Sequence, residues 1–227
     1  FMFPIKKWGL DWWTKTANSI EISQLVSNSL LIAFFVTILS TIIAFCGALA
    51  FARFSWKGKK LFQKIILMPV FFPQPVLGLA LLLWFNAIGI PLSWHTAVFA
   101  HLVWITPVVT LVIAIQVYGF DPTLEDAAKD LGATPFQIFW RVTLPLLWPG
   151  IWSGMLFAFL LSWGNFPLSL YTTGVDNTVP KWLYSKMVAG YTPMVPTLGT
   201  MSTLGAAGLM LLGALTVYMM HRRQGRI

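Results

Sequence analysis

Four of the seven acidic residues, Asp121, Glu125, Asp126 and Asp130, fall within one ten-residue stretch. His95, His101 and His221 share no metal-ligand spacing, and the single Cys46 excludes a disulfide framework and any cysteine-based metal or redox site. No Ser/His/Asp set is suggested. The pattern G-x-x-x-x-G-K-[ST] is absent, and Gly58-Lys59-Lys60 stands in the wrong context, with no strand before it. The residues support no catalytic site and no metal site, so the chain is not itself an enzyme. The acidic cluster reads as a surface for pairing with basic groups.

Local chemistry makes that cluster helical. Asp121-Pro122 is an N-cap carboxylate followed by proline at the first helical position. Glu125 and Asp126 follow in the early turns, where the helix dipole favours negative charge. Glu125 and Lys129 form an i,i+4 pair in the better orientation, and Gly132 is placed to end the helix in the left-handed conformation. Thr134-Pro135-Phe136-Gln137 is a capping box for a second helix, expected from Phe136 to Leu144 and stopped by Pro145. The expectation is two short helices at an angle, joined at Gly132.

The rest of the chain determines where they sit. Of 227 residues, 57% are hydrophobic and 10% charged, against about 25% charged in an ordinary soluble domain. So little charge cannot coat a water-soluble globule, and a chain this apolar is not disordered. A bilayer core needs roughly 20 apolar residues as helix. The uncharged runs supply five spans, at about 26–51, 65–88, 94–118, 147–171 and 197–220. The second and third are separated by the turn cluster Gly89-Ile90-Pro91-Leu92-Ser93, and Pro69, Pro73 and Pro75 break the second span. Cys46, inside the first span, reads as a small buried residue.

The net charge of +8 is placed as topology requires. Arg53, Lys57, Lys59, Lys60 and Lys64 fill one short loop, and Arg222, Arg223 and Arg226 follow the last span. The positive-inside rule makes both cytoplasmic, along with the 120–146 loop, and leaves residues 1–25 outside. An N-terminal segment carrying Lys6, Lys7 and Lys15 does not cross readily alone, so a further upstream span is expected, six in the full protein. Trp8, Trp12, Trp13, Trp56, Trp94, Trp148 and Trp182 read as interface anchors, and Val179 to Ala189 as an outer amphipathic stretch. The fold class is all-α: a polytopic membrane helical bundle forming a single domain over residues 1–227.

Asp126-Ala127-Ala128, then Gly132, then Val142-Thr143-Leu144-Pro145 resembles the coupling loop of the permease subunits of binding-protein-dependent ABC importers. That family's pattern is E-A-A, three residues, G, nine residues, I, any residue, L-P. Both spacings match here, with Asp126 for Glu and Val142 for Ile. The likeness runs from about residue 20 onward and lies nearest the spermidine/putrescine-type branch, notably in Ala127 to Ala133 and Thr172-Thr173-Gly174. It implies that the short helix docks in a cleft of a cytoplasmic ATPase, through Glu125, Asp126, Ala127, Ala128, Gly132, Leu144 and Pro145. It further implies a second, related permease, an ATPase dimer holding ATP and Mg, a soluble binding protein and a bacterial inner-membrane location.

The pathway is expected along Ser162-Trp163-Gly164-Asn165-Phe166-Pro167, with Trp163, Gly164, Asn165 and Phe166 as candidate lining. Polyamine-type relatives often carry acids at the positions of Gly164 and Asn165. Their absence argues against a polycation unless another subunit supplies the charge. An amide at Asn165 also serves as helix–helix glue or as the cap of a kink. The expected function is the permease subunit of an ATP-driven importer of a small polar solute, polyamine-, amino-acid- or opine-like. The alternative is a stand-alone secondary transporter or channel, against which stand the lack of carboxylates in the spans and of a visible inverted repeat.

Overall fold

The computed structural model describes residues 9–223. Lys6, Lys7, Trp8 and Arg226, and the side chains of His221 and Arg223, lie outside what is described. Among the described residues there are helices and no strands. Helices α1 (Asp11–Ala17) and α2 (Ile20–Ala48) open the chain, and a π-turn at Leu49–Arg53 extends α2. Next come α3 (Lys59–Phe71), α4 (Gln74–Ala87) and α5 (Trp94–Tyr118). The loop helices are α6 (Thr123–Asp130) and α7 (Pro135–Ile138), and a π-turn at Phe139–Thr143 leads into α8 (Leu144–Trp163). Then follow α9 (Pro167–Thr172), α10 (Val179–Ala189) and α11 (Met194–Arg223).

Helices α2, α5 and α8 pack on one another around Ile32, Val36, Ala44, Ile105, Val109, Ile113, Leu147 and Ala158. Glycine sets how closely they approach. A Cβ on Gly150 would lie 2.4 Å from Gln116 Cβ, and one on Gly154 would lie 2.8 Å from Ile113 Cγ1. The two form a small-xxx-small face on α8, the usual device for bringing apolar helices together without a hydrophobic driving force between them. Helix α11 leans on α8, and α4 rests on α9 at Gly78, where a Cβ would meet Tyr171 Cδ2 at 2.9 Å.

Among the described residues, four helices are long and apolar enough to cross a membrane, and the bent pair α3–α4 makes five if counted as one crossing. The differences from the sequence reading trace to proline and to polar caps. The expected span 65–88 is bent by 99° between Phe71 and Gln74. Pro73 forces Phe72 into extended backbone at ψ 135. The first span starts at Ile20 rather than 26, because Ser19 Oγ accepts the Ile22 amide and begins the helix early. The last begins at Met194, before the expected 197, since Pro196 lies in a first turn whose amides have no helical acceptor.

The fourth span differs most. Pro145 does not stop the second loop helix: residues 135–163 run on as one apolar helix. The widened turn at Phe139–Thr143 shifts the register ahead of the proline, and Thr143 Oγ1 reaches the Ile138 carbonyl at 3.5 Å. At the other end the helix stops at Trp163, not 171, because Gly164 and Pro167 interrupt it and α9 restarts after the gap.

Two smaller expectations also fail. Cys46 is exposed on the outer face of α2, since the buried stripe of that helix runs through Ala44 and Ala48. Trp182 is buried rather than interfacial, its Nε1 donating to Glu21 Oε1 at 2.6 Å. Helix α10 spans the expected 179–189, and Gly89 is left-handed at φ 72 in the expected turn.

Candidate functional site

The 120–146 loop folds largely as its residues dictate. Asp121 Oδ1 accepts the Thr123 amide at 3.0 Å, and that bond holds the Asp121 carboxyl below its ordinary range. Helix α6 begins one residue later than expected, at Thr123, with Pro122 as its N-cap. At its far end Gly132 is left-handed at φ 81. The Ala133 amide bonds to the Ala128 carbonyl at 3.0 Å and the Gly132 amide to Lys129 at 2.8 Å, the paired closure of a Schellman motif. The reciprocal cap is present too: Thr134 N donates to Gln137 Oε1 at 2.9 Å, and Gln137 N to Thr134 Oγ1 at 3.4 Å.

The charges pair differently from the expected Glu125–Lys129 contact. Glu125 turns inward: Arg53 Nη2 donates to its Oε2 and Thr143 Oγ1 to its Oε1. Burial alone pushes the Glu125 carboxyl up, but these two donors and the Arg53 charge outweigh it and hold the group below its ordinary range. The Arg53 guanidinium also lies 5.1 Å from the centre of the Phe120 ring. A buried carboxylate takes the planar, weakly hydrated guanidinium in preference to an exposed ammonium. Lys129 instead pairs with Asp126 at 2.7 Å, on the exposed side of α6, which raises the Lys129 pKa.

The loop therefore has two faces. The inner one carries Glu125 and lines a cavity of about 260 Å³ with Leu49, Arg53, Ile138, Phe139 and Thr143. The outer one presents Asp126 and Ala127, with Ala128 half-buried beside them. Flanking it, Leu131 is 89% and Phe136 73% exposed. Leu144 is half-buried and Pro145 exposed at the base of α8. The expected loop residues are thus together, with Glu125 facing away from the outer surface.

The four expected pathway residues do not converge. Trp163 Nε1 donates to Ser202 Oγ on α11 at 2.9 Å. Phe166 packs on Tyr184 of α10 with ring centres 4.6 Å apart. Asn165 is buried, and its Oδ1 accepts the Leu168 amide at 3.1 Å, so it caps α9 across the break. Gly164 is exposed at the gap. Trp163 also lines a cleft of about 560 Å³ between α2, α8 and α11, with Ile22, Val26, Leu198 and Ser202.

Sequence reasoning counted Arg53 only as a topological charge, and it passed over Thr143 and the buried contacts of His101. Nothing in the spacing pairs residue 53 with residue 125. The small-xxx-small signal at Gly150 and Gly154 was available and marks the α5–α8 contact.

A bundle of membrane-length apolar helices carrying one capped, charged helical loop has the build of a membrane transport permease. Residues 38–226 match the family described as "Binding-protein-dependent transport system inner membrane component", and the chain belongs to that family. It is 31% identical to the spermidine/putrescine transport system permease protein PotC of Haemophilus influenzae, over 92% of this chain and 82% of that one. It is also 31% identical to the putrescine transport system permease protein PotI of Escherichia coli, over 96% and 79% respectively. Among solved structures the fold resembles a chain of the MetNI methionine ABC transporter, with TM-score 0.70, 17% identity and 89% and 99% of the two chains covered. A bacterial ABC transporter importing alginate gives TM-score 0.75 at 16% identity, over 95% and 85%. The chain is the transmembrane permease subunit of an ABC importer.

Proposed function

We propose that this permease forms half of a solute pathway beside a second, related permease, and that the outer face of α6 docks on a cytoplasmic ATPase subunit. One observation carries the docking. Leu131 and Phe136 stand almost fully exposed on either side of Gly132, next to the small residues Ala127 and Ala128. Their exposure leaves an apolar surface that a partner's groove can cover, and alanine lets that partner approach the helix backbone. ATP and Mg belong to the ATPase dimer, and a soluble binding protein delivers the solute at the opposite end of the bundle. The C-terminus is cytoplasmic, on the same side as Arg53 and the loop. ATP-driven closure of the ATPases moves α6 and switches the pathway between its two openings.

The solute is small and polar. A polyamine is the first to test, because the PotC and PotI relatives are named for spermidine and putrescine. Amino-acid-like and opine-like solutes are the other two classes. Of the seven acids, at positions 11, 21, 121, 125, 126, 130 and 176, only Glu21 falls in a candidate span, at the start of the first, where its Oε1 accepts from Trp182 Nε1. Recognition of a cation therefore falls to the binding protein or the second permease.

The test is detergent purification on a tag carried by this chain, followed by reconstitution into liposomes. Recovery of an ATPase, lost when Asp126 and Ala127 are replaced by Lys and Trp, with putrescine uptake only when ATP is present, supports the reading. Uptake by the chain alone without ATP would make it a secondary carrier.

A further inference from the structure

Resting on that reading, we infer that Glu125 is a positioning residue that clamps the docking helix α6 to the ends of two spans at once, so that α2 and α8 move with it. Helix α6 is eight residues long and joins the bundle through Gly119 to Pro122 on one side and Leu131 to Thr134 on the other. Along the chain, a push on α6 reaches the spans only through these two connections. The side chain of Glu125 bypasses both. One carboxylate oxygen is held by Arg53, at the end of the α2 extension, and the other by Thr143, at the base of α8. Arg53 and Thr143 are each the final residue of a π-turn, Leu49–Arg53 and Phe139–Thr143. Such turns are locally widened helix and are frequent at functional sites. Phe45 and Phe139, whose ring centres are 6.4 Å apart, hold the same two elements together on the apolar side.

The clamp suits force transmission because it is enclosed. The Arg53 and Glu125 side chains are 24% and 11% exposed, so water does not compete freely for either partner. It is also distinct from docking, since Asp126 and Ala127 face the other way and are the residues a partner meets. Loss of the clamp and loss of the docking face therefore give different defects.

The experiment measures solute moved per ATP hydrolysed by the complete complex in liposomes, alongside the amount of ATPase retained on purification. The variants are E125Q, the exchanged pair R53E/E125R, and R53M/E125M, which removes both charges together and leaves neither unpaired. E125Q is expected to lower uptake per ATP several-fold, on the order of fivefold, with ATPase still retained. The exchanged pair is expected to recover most of that ratio. R53M/E125M keeps the region folded yet stays poorly coupled, which a purely stabilising role does not explain. Full coupling in R53M/E125M overturns the inference and leaves the importer reading standing. So does ATPase loss in E125Q that matches its loss of uptake. ATP-independent uptake by the unaltered chain overturns both.

Discussion

His101 on α5 reaches Ser169 on α9, with Nε2 3.1 Å from Ser169 Oγ, while its Nδ1 lies 2.9 Å from Ser162 Oγ on α8. The imidazole is 1% exposed and bridges the break at residues 164–166 from the opposite wall. Asn165 caps α9 from within the gap, so the restart of the helix is fixed both along the chain and across it.

Replacing His101 by Leu fills the space but strips both serine hydroxyls of their partner. A loss of about 1–3 kcal/mol in stability is expected, read as a lower thermal midpoint of the subunit in detergent. H101L with the midpoint of the unaltered chain would show that the bridge holds nothing.

Stability should depend on pH through Glu125. Its folded pKa lies below the ordinary value of 4.5, so the folded state favours the charged form. The contribution is complete above pH 4.5 and is lost as pH falls through the lowered folded value. The thermal midpoint of the unaltered chain should fall over that acid window more steeply than that of R53M/E125M. Parallel curves for the two proteins would remove Glu125 as the cause.

The α5–α8 contact gives an internal control. G150L places a branched side chain where Gln116 already sits, whereas the Cβ of a leucine at residue 208 meets nothing within 4 Å. G150L should cost about 1–3 kcal/mol or prevent folding, and G208L should leave the midpoint within the noise. Equal yield and equal midpoint for both would mean that the helices separate easily.

At the far end of the bundle, Asp176 Oδ2 accepts the Trp94 amide at 2.8 Å, an N-terminal cap on α5 supplied from the loop after α9. D176A should lower stability by about 1 kcal/mol and D176N by less, because the amide oxygen still accepts. Differential unfolding of the two variants checks the order, and a milder D176A would contradict it.

Legibility in the sequence followed the range of the interaction. The caps at Asp121 and at Thr134 with Gln137 and the left-handed Gly132 depend on neighbours within a few residues, and the residue types alone announce them. The run through Pro145 was not legible, because a proline that stops a regular helix can be passed by a π-turn, and nothing local signals one. The pairing of Glu125 was misplaced for a related reason. Lys129 is near in sequence, but Arg53 is near in space and half-buried against a buried carboxylate, and that enclosure decides the contest. The Asn165 cap was legible as well, because an amide beside Gly164 and Pro167 is the local signature of a capped kink. The break at Gly164 turns Trp163, Asn165 and Phe166 toward different helices.

Gly132 tests the loop as a docking element. Its left-handed φ of 81 closes α6 and sets the angle of α7, yet a Cβ there meets nothing within 4 Å. Any effect of substitution is therefore conformational rather than steric. A β-branched side chain disfavours that conformation by about 1–2 kcal/mol, and asparagine tolerates it better. If α6 docks on an ATPase, G132V should reach the membrane in normal amount and retain several-fold less ATPase on purification, with G132N in between. A graded loss tracks backbone preference and supports a rigid, preformed docking loop. Equal retention in all three proteins, with uptake unchanged, would mean that the partner grips the outer face whatever the angle between α6 and α7.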